Sequence, residues 1–169
     1  QISSYNWDFL DANFNSSVNK IILVGRDASN SNYGVSICMT VSGSSVSAGS
    51  AYYFRSAAIT YPHVTYDITA NRQVVSFLNG SVGEIAVGTL TGTALSWTTS
   101  TINFTGDTST SGYPVSTYDP DNSRVVTWYR RQTDGTTIGL GTGVTFQTGW
   151  SITNLTATNF IGITDSAIS

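Results

Sequence analysis

Val64-Thr65-Tyr66-Asp67-Ile68-Thr69-Ala70-Asn71-Arg72-Gln73-Val74-Val75-Ser76-Phe77 has a counterpart further along the chain, Val115-Ser116-Thr117-Tyr118-Asp119-Pro120-Asp121-Asn122-Ser123-Arg124-Val125-Val126-Thr127-Trp128. In both, a Tyr-Asp pair leads through a polar turn into a β-branched run that opens on Arg, and the two Tyr-Asp pairs stand 52 residues apart. A second echo pairs Val41-Ser42-Gly43-Ser44-Ser45-Val46-Ser47 with Leu90-Thr91-Gly92-Thr93-Ala94-Leu95-Ser96 at a spacing of 49. Self-similarity at one spacing marks a supersecondary unit that buries its apolar face only by stacking on its neighbours.

Outward from this pair, short β-branched and aromatic runs alternate with turn residues, and no segment sustains apolar residues at helical spacing. Lys20 to Arg26, Val35 to Val41 and Ala51 to Arg55 read as strands, as do Gln73 to Leu78 and Glu84 to Leu90. Asn79-Gly80 and Asp134-Gly135 read as hairpin turns, the first as type I′. The predicted organisation has a degenerate end of a preceding unit over 1–18, with Phe9-Leu10-Asp11 in the place of Thr-Tyr-Asp. Units then cover 19–70 and 71–122, a shortened unit covers 123–153, and 154–169 connects to a following domain. Four short antiparallel strands per unit are the content of a propeller blade. The predicted fold is therefore all-β, made of tandem four-stranded antiparallel units, β-propeller-like, with about three blades forming an incomplete ring or part of a larger one. Outer blades would leave unpaired strand edges, so other copies or other proteins are expected against them. A chain opening on Gln1 is read as processed or partial.

Composition narrows the function. Charged residues make up 10% of the chain and the net charge is −3, so no basic face for nucleic acid is available. No apolar run is long enough to insert in a membrane as a helix. Cys38 stands alone, which excludes an intrachain disulfide and a cysteine metal knuckle. The Ser/Thr/Gly-rich, weakly charged surface suits a virion or extracellular setting.

The wording of the units resembles a repeat of tail-fibre and other virion proteins of marine bacteriophages. Asn19-Lys20-Ile21-Ile22-Leu23-Val24-Gly25-Arg26-Asp27 with Asn30-Ser31-Asn32-Tyr33-Gly34 is similar to the first half of that repeat, and Val41 to Gly49 to the second. The stretch 154–169 resembles the segment after its last copy. The resemblance implies a non-enzymatic structural component that mediates assembly or host-surface attachment. Its partners would be other copies, other virion or surface proteins, and host glycans. A bacterial extracellular adhesin or carbohydrate-binding module is the alternative, and a propeller-type glycoside hydrolase the third.

Individual residues are weighed against that frame. Tyr66-Asp67 and Tyr118-Asp119 are expected to be structural, the Asp accepting backbone N–H groups in a turn while the Tyr packs between units. Asp119-Pro120-Asp121-Asn122-Ser123 is rich in oxygen, yet it lacks the further carboxylates of a calcium loop and reads as a proline-led turn. No metal or cofactor is expected. His63 is the only His and Glu84 the only Glu, which leaves neither a serine triad nor a carboxylate pair with support, and no catalytic residue is assigned. Aromatics able to stack on sugar faces are Tyr33, Tyr52, Tyr53, Tyr61, Tyr113, Trp128, Tyr129 and Trp150. Of these the loop residues Tyr33 and Tyr113, with Asn32, are the ligand-binding candidates.

Overall fold

A computed structural model describes residues 6–99, 101–103, 111–133, 136–138, 144–146 and 152–154. Among these residues the regular structure is β-strand, arranged as three antiparallel sheets that share no strand. The first contains β1 (Trp7–Asn15), β2 (Lys20–Asp27), β3 (Tyr33–Ser42) and β4 (Ser45–Ala58), in that order. The second contains β5 (Thr60–Asp67), β6 (Arg72–Asn79), β7 (Val82–Thr91) and β8 (Ala94–Trp97), with β9 (Ile102–Asn103) returning to β7. The third contains β10 (Ser111–Asp119), β11 (Arg124–Thr133), β13 (Val144–Phe146) and β14 (Ile152–Asn154), with β12 (Thr136–Ile138) beside β11.

These sheets shift the unit boundaries by one strand. Each sheet opens with the strand that ends in Asp or Asn, so the expected divisions at 18/19 and 70/71 fall between the first and second strands of a sheet. Residues 7–15 are a full first strand rather than the remnant of a preceding unit. The slot of Asp67 and Asp119 is filled there by Asn15, because Asn15 faces Lys20 as Asp67 faces Arg72 and Asp119 faces Arg124. The strand predicted over Ala51 to Arg55 extends over Ser45–Ala58, with register shifts against β3. The connector expected over 154–169 lies outside the described residues apart from Asn154, as does the Asp134-Gly135 turn.

Turn chemistry explains the connections. Ser42 pairs with Ser45, Asn79 with Val82 and Thr91 with Ala94, leaving two-residue loops that each begin with Gly. Gly43, Gly80 and Gly92 have φ of 59°, 62° and 62°. Positive φ at the first loop position alone is the type II′ pattern, which replaces the type I′ turn expected at Asn79-Gly80. The longer turns after the first strands end in Asn19, Asn71 and Ser123, each with φ 53°. Side-chain oxygens cap these turns: Asn15 Oδ1 accepts from Ser17 N–H at 3.0 Å and Asp67 Oδ1 from Ala70 N–H at 2.8 Å. Asp119 Oδ1 accepts from Asp121 and Asn122 N–H at 3.0 and 3.2 Å, and the side-chain bond from Asn122 pulls its carboxyl below the usual range.

The middle sheet is buried on both faces. Strand alternation sends Val75, Phe77 and Ala86 one way, where they join Ile22, Val24, Cys38 and Phe54 of the first sheet. Val74, Ile85 and Val87 go the other way, to Val125 and Tyr129 of the third. This explains why β6 and β7 are buried almost without interruption while β4, on the rim of the first sheet, buries Phe54 alone. Where Trp97 of β8 lies over β7, a Cβ on Gly88 would stand 2.5 Å from the ring, so the absent side chain makes that approach possible.

Polar side chains fasten the joints. Tyr66 reaches back to the Ser17 hydroxyl and donates to Asn71 Oδ1 at 2.9 Å, and Tyr118 meets the Thr69 hydroxyl at 2.5 Å. The two joints are the same latch displaced by one repeat. Ser116 Oγ adds buried bonds to Ser76 Oγ and Thr127 Oγ1, both at 2.8 Å. Removing the latch hydroxyls tests their part in stability. Tyr66→Phe is expected to cost about 1–1.5 kcal/mol and the more exposed Tyr118→Phe about half as much, read from urea unfolding midpoints. Equal midpoints for both variants and the parent would show that the hydroxyls contribute nothing.

Candidate functional site

A residue near the start of each sheet breaks the strand pairing. Register shifts fall between Asp8 and Asp11, between Thr60 and His63, and between Gly112 and Val115. Within each bulge sits an aromatic residue in the left-handed region: Phe9 at φ 50°, Tyr61 at 52° and Tyr113 at 51°. Bulky side chains avoid this region at a cost of about 1–3 kcal/mol each. The same strain at one position in three sheets is a built feature.

Because β5 lies against both β1 and β10, the Tyr61 ring meets the other two. Tyr61 is 4.9 Å from Phe9, edge to face at 72°, and 4.3 Å from Tyr113, tilted at 47°. A hydrogen bond to Tyr113 holds the Tyr61 hydroxyl above its ordinary pKa. Arg26 lies 4.5 Å over the Phe9 ring, and its Nε donates to Asp8 Oδ1 at 2.7 Å. That bond keeps the guanidinium firmly charged.

The triplets Phe9-Leu10-Asp11, Tyr61-Pro62-His63 and Tyr113-Pro114-Val115 line one open groove of about 280 Å³. Its rim is apolar and exposed, Leu10 at 58%, Tyr113 at 59% and Val115 at 48%. The third positions of the first two triplets, Asp11 and His63, carry the polar chemistry. Asp11 Oδ2 accepts from Val64 N–H at 2.8 Å, and His63 Nδ1 accepts from Ser116 N–H at 3.1 Å. Both bonds cross from one sheet to the next, so these side chains fasten the joints as well as line the groove. The other imidazole nitrogen, His63 Nε2, stands 3.9 Å from Asp11 Oδ2.

The residues singled out in the sequence separate into different places. Tyr113 belongs to the groove. Tyr33 instead packs edge to face with Tyr53 at 5.9 Å, and the Asn32 carbonyl accepts at 3.0 Å from the N–H of Ile59, the residue after β4. Tyr53 donates to Asp27 Oδ2 and accepts from Asn30 Nδ2, both at 3.0 Å, so the loop around Tyr33 and Asn32 is tied into its own sheet. Tyr66, Asp67, Tyr118 and Asp119 occupy the latches and turn caps described above, away from the triplets. Phe9 and His63 were not grouped with Tyr113 in the sequence, although a spacing of 52 from Phe9 to Tyr61 and from Tyr61 to Tyr113 is visible there.

Glu84 lies at another joint. It is buried, and its oxygens accept from Arg55 Nη2 at 3.0 Å, Asn79 Nδ2 at 3.0 Å and Thr101 Oγ1 at 2.8 Å. Burial pushes the Cys38 thiol pKa up, as suits an inert core residue. No cluster of three or more metal-ligating side chains occurs among the described residues. A scan against models of known protein families finds no match, and a search of curated proteins finds none either. The likeness to phage repeats therefore rests on the wording of the residues.

Proposed function

We propose that the chain is a non-catalytic structural component of a virion, tail-fibre-like, that contributes to assembly and to attachment at a host surface. The aromatic groove carries the reading. Three copies of one strained triplet, one from each sheet, converge on a single open surface, and strain of this kind is retained where a site depends on it. The geometry also supports reading the three sheets as blades of an open propeller arc. Their first strands lie side by side, their faces stack, and the joints repeat the same latch. An arc leaves outer edges for other copies or other virion and surface proteins.

A bacterial extracellular adhesin or carbohydrate-binding module is the second reading, favoured by the same groove on a weakly charged, hydroxyl-rich chain. A glycoside hydrolase is disfavoured by Glu84, whose carboxylate is buried and bonded to three neighbours. Immunogold labelling with antibodies raised against this chain separates the readings. Gold on phage tails is the expected result, gold on bacterial surfaces favours the adhesin, and gold confined to the cytoplasm overturns both.

A further inference from the structure

We infer that the groove binds a neutral sugar, with the ring face stacked on Tyr113 and one hydroxyl inserted between His63 and Asp11. The inference rests on the attachment reading and names the chemistry of what is attached.

The argument starts from the His63 tautomer. Nδ1 accepts the Ser116 N–H, so the neutral imidazole carries its proton on Nε2 and is a donor there. Facing it is Asp11, a carboxylate whose Oδ2 accepts one backbone N–H. The 3.9 Å between Nε2 and Oδ2 is too long for a direct hydrogen bond. An oxygen set about 2 Å to the side of the line joining them can still lie about 2.8 Å from each and bridge the pair. A hydroxyl is the group that satisfies both sides, accepting from Nε2–H and donating to the carboxylate. An ether or a carbonyl would satisfy one side only.

The surroundings select the rest of the molecule. Tyr113 exposes 59% of its surface at the groove, beside Pro114 and Val115, and offers an apolar face next to the donor–acceptor pair. A molecule with a flat C–H face and hydroxyls on its edge matches both features, as a pyranose does. Charge argues for a neutral one. Asp11 would repel an anion, and Arg26, the cation beside the groove, is held by Asp8 and covers Phe9.

The test uses the intact chain on a printed array of neutral, sialylated and sulfated oligosaccharides, followed by titration with the best neutral ligand. Binding to neutral glycans is expected, weakened at least tenfold by Tyr113→Ala and by Asp11→Asn, which keeps an oxygen for Val64 N–H. Tyr33→Ala should bind like the parent, and circular dichroism verifies that each variant is folded. Recognition restricted to anionic glycans, equal affinity for glycerol, retention of full binding by folded Tyr113→Ala, or no glycan bound at all would each overturn the inference. Virion labelling that persists when the array is blank would leave the attachment reading standing and remove only the sugar.

Discussion

Phe77→Ala should be the most damaging single substitution, lowering stability by about 3–5 kcal/mol. Phe77 is fully buried in the central sheet, and its ring centroid lies 5.3 Å from that of Phe54. Phe54 in turn packs on Trp97 at 5.6 Å, so three large rings from two sheets hold the first joint. Truncation removes the ring at one end of this row and leaves a cavity that flanking strands, fixed by their ladders, close only in part. In a domain of this size the loss should lower Tm by on the order of 10 °C. Phe14→Ala is the control, because that ring is 52% exposed and its removal should stay within about 0.5 kcal/mol. Comparable effects from the two variants in thermal melts would mean that the joint between the first two sheets is not the principal core.

Glu84→Ala comes second. The carboxylate joins Arg55 of β4 to Asn79 and Thr101 of the second sheet, and its removal leaves a guanidinium facing neutral groups across the joint. Breaking one side of a buried ion pair costs about 3–5 kcal/mol. The Arg55 side chain retains 27% exposure, and water screens part of its charge, so about 2–3 kcal/mol is expected. A double-mutant cycle with Arg55→Met assigns the loss. Stability recovered in the double variant relative to Glu84→Ala would locate it in the stranded cation, whereas simple additivity would place it with Asn79 and Thr101.

Much of this architecture is legible in the residues. Gly43 and Gly92 announce their hairpins because a two-residue loop with positive φ at its first position selects Gly, and the short apolar runs of β6 and β7, bounded by turn residues, read directly as strands. The phase of the repeat is harder to read. Trp7–Asn15 lacks a β-branched run, and matching Asp11 to Asp67 by identity slides it four positions from its true register, in which Asn15 is the counterpart. A carboxamide caps the turn as well as a carboxylate does, so the chemistry repeats where the letter does not. The groove was partly visible for the same reason. Tyr61 and Tyr113 stand out as aromatics, but Phe9, Tyr61 and Tyr113 become one feature only when the bulges place the rings against each other, and a bulge has no sequence signature strong enough to announce it.

Between β4 and β5 there is a single residue, Ile59, fully buried, whose N–H is bonded to the Asn32 carbonyl. Cutting the chain at this seam would strip each fragment of its half of a shared interior. The first two modules therefore behave as one cooperative body, and evolution has room to lengthen or recombine them only at the opposite ends of the strands, where turns reach solvent.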